Sequence, residues 1–152
     1  MTPSQRIGFI STRFAGTDGV SLETAKWATV LQRMGYECFY FCGECDREPQ
    51  HSYIVPEAFF GHPVIAAINQ AVYPGAWGRM LEDCEDCLEI KDLHQAYFSI
   101  FIRPPRISKQ VQELKDDLKQ HLYQFARKFQ LHALIIENAL TIPINLPLGL
   151  AI

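Results

Sequence analysis

The pattern of apolar and polar positions predicts a β-α-β unit at the beginning of the chain. Two runs rich in β-branched and aromatic residues, residues 6–12 and 37–43, predict buried strands. Between them, residues 22–34 carry apolar side chains at helical spacing. That stripe consists of Leu22, Ala25, Ala28, Leu31 and Met34. A helix between two such strands implies parallel pairing and a right-handed crossover.

Polar and glycine residues mark the ends of this first predicted helix. Ser21 is predicted to be its N-cap, and Glu23 lies in the first turn, where a carboxylate suits the helix dipole. Gly35 is predicted to end this helix. The preceding residues 13–20 are predicted to form a glycine-containing loop from strand to helix. After the second strand, residues 44–50 are predicted to be a polar loop.

The middle of the chain predicts mostly helix. Residues 53–60 could include a short strand, and residues 63–72 are predicted to form a helix. Residues 79–102 are predicted to be mostly helical, with an acidic face exposed to solvent. Together, residues of about 56–105 are predicted to form a helical insertion. The sequence Arg-Pro-Pro-Arg at 103–106 is predicted to break any helix.

A long amphipathic helix and a third strand follow. Ser108 is predicted to cap this helix, whose two terminal aromatic residues suggest packing on a sheet. Residues 132–136 predict a strand, and a further helix is predicted to begin near Asn145 or Pro147. The stripe of the long helix consists of Val111, Leu114, Leu118, Leu122, Phe125 and Phe129.

This order of elements predicts an α/β fold with a parallel sheet and helices in separate layers. Ligands of such sheets bind beyond the carboxyl ends of the strands. Two predicted loops lie at that edge, residues 13–20 and 137–141. They therefore hold the candidate binding residues.

Composition narrows the function classes without naming one. The 152 residues fit one domain, and the net charge of −3 gives no basic surplus for nucleic acid. The N-terminus lacks a signal-peptide pattern, and polar residues and prolines interrupt the apolar C-terminal stretch, so no transmembrane segment is predicted. These features favour a cytoplasmic protein.

The first candidate loop contains Gly16, Asp18 and Gly19. Its glycines would let the backbone approach a ligand, and the amides that open the next helix favour an anion. The loop matches neither the dinucleotide fingerprint nor the phosphate-binding P-loop pattern. A tight turn without a ligand explains it about equally well.

The second candidate loop begins with Glu137 and Asn138. A carboxylate and an amide at a strand end can hydrogen-bond a polyhydroxylated ligand. The alternative is that Asn138 only turns the chain and Glu137 caps the following segment.

Four cysteines in two CxxC pairs raise the question of a structural zinc site. The pairs are Cys42 with Cys45 and Cys84 with Cys87. Against zinc, Cys42 lies in an apolar strand, where cysteine acts as a small hydrophobe, and the two pairs are far apart in sequence. No cofactor is expected.

Two blocks of the sequence resemble one enzyme family. Residues 6–44, RIGFISTRFAGTDGVSLETAKWATVLQRMGYECFYFCGE, resemble the opening strand, glycine loop, helix and second strand of group 1 glycosyltransferases with the GT-B fold. Residues 133–151, ALIIENALTIPINLPLGLA, resemble that family's later strand, active-site loop and helix. The two blocks stand in the family's order and spacing.

This resemblance implies an enzyme of two Rossmann-like domains that transfers a sugar from a nucleotide-sugar donor to an acceptor with retention of configuration. It places Gly16, Asp18 and Gly19 near the donor phosphates and the transferred sugar. It places Glu137 and Asn138 beside the acceptor.

The apolar end of the chain leads to a further expectation. Residues 131–152 are its most apolar stretch, so we expect residues 1–152 to be a partial N-terminal, acceptor-side domain that is inactive alone and self-associates through an unfinished sheet edge. Two alternatives remain: a stand-alone flavodoxin-like module that binds a nucleotide or sugar phosphate, and a zinc-stabilised interaction domain.

Overall fold

The computed structural model describes residues 5–72 and 104–152. Its strands are β1 (Arg6–Ile10), β2 (Arg13–Phe14), β3 (Glu37–Cys42), β4 (Glu44–Cys45), β5 (Ser52–Ile54) and β6 (Ala133–Ile136). Its helices are α1 (Gly19–Arg33), α2 (Pro63–Val72), α3 (Pro105–Phe129) and α4 (Leu146–Ala151). Short 3-10 turns span Pro49–His51 and Pro56–Ala58.

A four-stranded parallel sheet with the order β5-β3-β1-β6 forms the centre of the fold. Helix α1 connects β1 to its neighbour β3, and β6 lies on the other side of β1. The fold is therefore mixed α/β, and its strand order is compatible with a Rossmann-like layout. The predicted parallel sheet is confirmed.

Short strands β2 and β4 extend the pairing of β1 with β3 in the same register. Arg6 pairs with Glu37 and Phe14 pairs with Cys45, so partners are 31 residues apart at both ends. Across the break, the amide of Ser11 donates to the Phe41 carbonyl, and the amide of Gly43 donates to the Thr12 carbonyl, both at 3.1 Å. The expectation of loops over residues 13–20 and 44–50 is therefore wrong at their first two residues, which pair as strands.

The face of the sheet under α3 is packed with aromatic rings. Phe39 stacks on Phe129 with ring centroids 4.4 Å apart, and Phe41 packs on Phe125 at 5.6 Å. Gly8 lets α3 come close to β1, because a Cβ there would lie 2.8 Å from a ring carbon of Phe125. The predicted stripe of the long helix and its packing on a sheet are confirmed.

The opposite face is covered by the small residues of α1. Ser21, Thr24 and Ala28 are its buried residues, and they lie over β1 and β3. The predicted stripe is wrong at both ends, since Leu22 and Met34 are exposed. Of the predicted stripe, Ala28 is buried and Leu31 packs partly buried against the same apolar cluster.

Helices α2 and α4 pack around α3. Ile68 of α2 contacts Ile107 and Val111 of α3 in a separate apolar cluster. Helix α2 begins at Pro63 as predicted, and α4 begins directly after Asn145, whose side-chain oxygen accepts from the amide of Leu148 at 3.0 Å.

The start of α3 corrects a prediction. The helix begins at Pro105 and Pro104 lies outside it, so the prolines mark a helix boundary as predicted, but Ser108 is not the cap. Proline suits the first turn of a helix because an amide N–H at that position would have no partner within the helix, so its absence costs no hydrogen bond. The predicted helical segment 79–102, and with it most of the predicted insertion 56–105, lies outside the described residues.

Candidate functional site

A cleft of about 170 Å³ opens beyond the carboxyl ends of β1 and β6. The two strands are neighbours in the sheet, and β1 is paired with β3 on its other side. Ligands of open α/β sheets bind at such a position, where neighbouring strands connect in opposite directions. The cleft is lined by Ser11, Thr12, Arg13, Asp18, Val20, Phe60, Asn138 and Ile144.

The break between β1 and β2 supplies two of these residues, and the first residue of β2 supplies a third. Ser11 and Thr12 are nearly buried and follow β1 directly. Arg13 lies in β2, with its Nε 3.0 Å from Glu44 Oε2. That Nε is buried and lacks a well-aligned acceptor among the described residues, so we regard the contact as an ion pair and not as a hydrogen bond.

Asp18 caps α1, which corrects the prediction of Ser21 as N-cap. Its Oδ1 accepts from the amide of Ser21 at 3.0 Å, and its Oδ2 accepts from the Ser21 hydroxyl at 2.7 Å. Burial acts to raise the pKa of Asp18, but the hydrogen bonds from Ser21 and the charge of Arg13 outweigh burial and lower it. Asp18 is therefore an anion that the protein itself holds at the start of α1.

The glycines of this loop have different environments. Gly16 has a φ of 75°, which favours glycine, and its amide donates to Asp46 Oδ2 at 2.8 Å. Gly19 is the first residue of α1, and a Cβ there would have no neighbour within 4 Å. An external anion at this end of α1 would have to compete with Asp18 for the helix amides.

Glu137 and Asn138 leave the sheet where β6 ends. The amide of Glu137 donates to the Ile10 carbonyl at 2.8 Å. Burial and the nearby charge of Glu23 raise the pKa of Glu137. Asn138 has a φ of 61° and turns the chain, and its carbonyl accepts from the amide of Ile142 at 2.9 Å.

The cleft brings together one predicted residue from each candidate loop, Asp18 and Asn138. Gly16, Gly19 and Glu137 lie near it without lining it. Four lining residues were not predicted from the sequence. Ser11, Thr12 and Arg13 lie at the junction of the predicted strand and the predicted loop, and Phe60 lies in another segment. Strand ends next to a predicted binding loop are the signal that could have pointed to the first three.

The cysteines form no metal centre among the described residues, where no group of three or more His, Cys, Asp or Glu could hold a metal ion. Cys42 is buried at the end of β3, and Cys45 is partly exposed at the end of β4. Cys84 and Cys87, the second pair of the zinc hypothesis, lie outside the described residues.

The described helices also include none with the length and apolar character needed to cross a membrane. Comparison with family models gave no match for this chain, and comparison with curated proteins and with solved structures gave no significant match.

Proposed function

We propose that the cleft binds a sugar and that this domain is the acceptor side of a retaining glycosyltransferase with the GT-B fold. One observation carries the proposal: Asp18 and Asn138, from the two sequence blocks that resemble this family, line one cleft beyond the carboxyl ends of β1 and β6. Within the proposal, the domain is Rossmann-like, and a second domain binds most of the nucleotide-sugar donor.

The chemistry of the cleft suits a polyhydroxylated ligand. Ser11 and Thr12 carry hydroxyl groups, Asn138 carries an amide, and Arg13 with Asp18 provides charged donors and acceptors. Phe60 adds an aromatic ring that is 37% exposed. Such a ring can cover the C–H face of a sugar while the polar groups hydrogen-bond its hydroxyls.

Glu137 supports the same proposal from beside the cleft. Burial and Glu23 disfavour its charged form, and carboxyl groups with a raised pKa occur preferentially at functional sites. In the proposal, Glu137 faces the acceptor. Its role would be to hydrogen-bond an acceptor hydroxyl.

The start of α1 favours a sugar over a phosphate as the ligand of this cleft. Asp18 already accepts from the amide of Ser21 in the first turn of α1, and its negative charge opposes that of a phosphate. A flavodoxin-like module for sugar phosphates would use those amides for its anion. The donor phosphates are therefore assigned to the second domain, and this chain by itself is expected to bind sugar without transferring it.

Titrations followed by amide NMR test the proposal. Free sugars and oligosaccharides should shift the amide signals of Ser11, Thr12 and Asn138, whereas inorganic phosphate and nucleoside diphosphates should shift them less. Asn138→Gly, which keeps the left-handed backbone and removes the amide, should weaken sugar binding about tenfold. Stronger binding of phosphate than of any sugar would instead favour the stand-alone module.

A matched control exists at Gln130, which with Asn138 makes up the non-glycine residues of positive φ in the described part of the chain. Gln130 has a φ of 52° at the end of α3, and Gln130→Gly makes the same kind of change away from the cleft. Sugar affinity should be unchanged in that variant. Equal losses in the two variants would contradict a direct role for Asn138.

We also propose that the edge of the sheet at β6 pairs with a second copy of the chain. Strand β6 pairs with β1 and, among the described residues, with no other strand. Leu134, Leu140 and Leu150 are exposed there, beside a largely apolar groove of about 190 Å³. Light scattering should therefore detect a dimer, and Leu134→Lys should shift it to monomer; a strict monomer at high concentration would contradict the proposal.

A further inference from the structure

Two cysteine thiols lie together where the geometry of a strand would separate them. Cys42 ends β3 and Cys45 ends β4, three residues apart. Side chains of an extended strand alternate, so residues three apart point to opposite faces. Here both cysteines lie in the apolar cluster beneath α1, and the Cys42 thiol donates a hydrogen bond to Cys45 Sγ.

A bend at Gly43 brings the two thiols to the same face. The bend is fixed on both sides, because the Gly43 amide donates to the Thr12 carbonyl at 3.1 Å and the amide of Val55 donates to the Cys42 carbonyl at 2.9 Å. A side chain at Gly43 would collide with the backbone of Phe59. The bend that places the two cysteines in one cluster is therefore fixed by backbone contacts.

The two thiols differ in exposure and in their partners. Cys42 is fully buried, whereas Cys45 is partly exposed. Cys45 Sγ lies 3.4 Å from the Ser52 hydroxyl and accepts from the backbone amide of Arg47, whose guanidinium lies nearby. The Cys42 thiol and the Arg47 amide thus donate to the sulfur that solvent can reach, whereas the Ser52 hydroxyl donates its own hydrogen to the Glu48 carbonyl at 2.9 Å.

These contacts lower the pKa of the Cys45 thiol and raise that of the Cys42 thiol. The hydrogen bond from Cys42 acts against burial and, with Ser52 and Arg47, lowers the pKa of Cys45 to about 6. The same hydrogen bond and burial raise the pKa of the Cys42 thiol. At neutral pH, Cys45 is the nucleophilic thiolate and Cys42 the neutral thiol.

We infer that Cys42 and Cys45 form a reversible intrachain disulfide, with Cys45 as the attacking thiol and Cys42 as the resolving one. The oxidant is a low-molecular-weight disulfide of the glutathione class. The Cys45 thiolate attacks one sulfur of the oxidant, which forms a mixed disulfide and releases one thiolate. Cys42 then loses its proton and attacks Cys45 Sγ, which closes the protein disulfide and releases the second thiolate.

The disulfide would act on the loop beside the cleft. Asp46 follows Cys45 directly; its side chain accepts from the Gly16 amide at 2.8 Å, and its amide donates to the Phe14 carbonyl at 3.0 Å. Closing the disulfide draws the sulfurs to about 2.05 Å and pulls β4 toward β3. Gly16 and its loop should move with Asp46. This consequence does not depend on which ligand the cleft binds.

Cys38 provides an internal control in the same apolar cluster. It is buried, burial raises the pKa of its thiol, and its Sγ is 3.9 Å from the Ala28 carbonyl oxygen. A cysteine that serves only as a small hydrophobe should behave like Cys38. Differences between Cys45 and Cys38 therefore measure the proposed chemistry.

Alkylation of the full native chain with iodoacetamide tests the attacking thiol. At pH 7, Cys45 should react at least about tenfold faster than Cys38, with a rate that rises through about pH 6. Equal rates for Cys45 and Cys38 would overturn the inference. This measurement needs no variant, so it does not depend on how a substitution folds.

Peptide mass spectrometry after incubation with oxidised glutathione tests the resolving thiol. The wild-type chain should yield a disulfide between Cys42 and Cys45, and Cys42→Ser should stop at a mixed disulfide of Cys45 with glutathione. Cys38→Ser should leave both results unchanged. Absence of the mixed disulfide in Cys42→Ser, or pairing of Cys45 with Cys84 or Cys87 in the wild type, would overturn the inference.

Discussion

The two faces of the sheet are covered in opposite ways. On the α3 face, Phe125 and Phe129 pack against Phe39 and Phe41, so stability there depends on large interlocking rings. On the α1 face, the helix contributes Ser21, Thr24 and Ala28 as its buried residues, and the large rings belong to the strands.

This difference explains the position of the cleft and of the cysteine pair. Ser11 and Thr12 line the cleft together with Asp18, the N-cap of α1, and Cys45 packs against the apolar cluster beneath the same helix. The α3 face is filled by apolar side chains, which contribute stability through burial. The α3 face therefore contributes mainly to stability, and the candidate cleft and the cysteine pair are associated with the α1 side.

The largest expected effect is on the α3 face. Phe125 is fully buried and contacts Phe41, Phe129 and Tyr53, so Phe125→Ala should lower the free energy of unfolding by about 3–5 kcal/mol. Denaturant unfolding measures this loss. Tyr123→Ala, at an exposed position of the same helix, should change it by less than about 1 kcal/mol. Similar losses in both variants would contradict the importance of the ring cluster.

Overpacking the α1 face should cost less. Ala28 is 4% exposed against the sheet, and Ala28→Leu should push α1 outward and destabilise the protein by about 1–3 kcal/mol. Gln32→Leu places the same side chain at an exposed position of α1 and serves as the control. If Ala28→Leu is neutral in thermal unfolding, the helix lies less tightly on the sheet than we infer.

Removal of the α1 cap should have a smaller effect that depends on pH. Asp18→Ala loses both hydrogen bonds to Ser21 and should cost about 0.5–2 kcal/mol at neutral pH. Because the pKa of Asp18 is lowered in the folded protein, its contribution is present above its ordinary value of 3.8 and is lost as the pH falls through the lowered one.

The unfolding free energies of wild type and Asp18→Ala should therefore converge in acid. Asp116→Ala, at an exposed position of α3, serves as the control and should show little difference at any pH. A constant gap between wild type and Asp18→Ala down to pH 2 would indicate that the charge of Asp18 does not contribute.

The smallest effect is expected on the outer side of α1. Trp27 is 52% exposed, so Trp27→Gln should change stability by no more than about 0.5 kcal/mol, although tryptophan is the largest side chain. Chemical denaturation followed by circular dichroism avoids reliance on the lost fluorophore. A loss above about 2 kcal/mol would mean that α1 buries a different face.

The sequence predicted the α3 face better than the α1 face for a physical reason. Large apolar residues at steps of three and four correctly identify the buried side of α3. The same rule wrongly predicts that Leu22 and Met34 of α1 are buried, because the residues that α1 buries are serine, threonine and alanine. The cap of α1 was missed because Asp18 and Ser21 are both good caps three residues apart.

Part of the candidate site was also beyond sequence reasoning. Asp18 and Asn138 were found because loops after parallel strands collect at one edge. Arg13 was placed in a loop because two-residue strands have no detectable periodicity, and Phe60 comes from a distant segment that only the tertiary fold brings to the cleft. The pairing of Cys42 with Cys45 depends on a bend that periodicity does not reveal.

The constant spacing of 31 residues across the paired strands decides where this part of the chain can change in length. Additions within residues 15–36 leave every pair from Arg6 with Glu37 to Phe14 with Cys45 in place. One residue added at the break after Ile10 would slide β2 against β4 and turn its side chains over. The strand register is therefore insensitive to length changes in the connection but not at the break, while an insertion inside α1 would turn its buried residues Ser21, Thr24 and Ala28 away from the sheet.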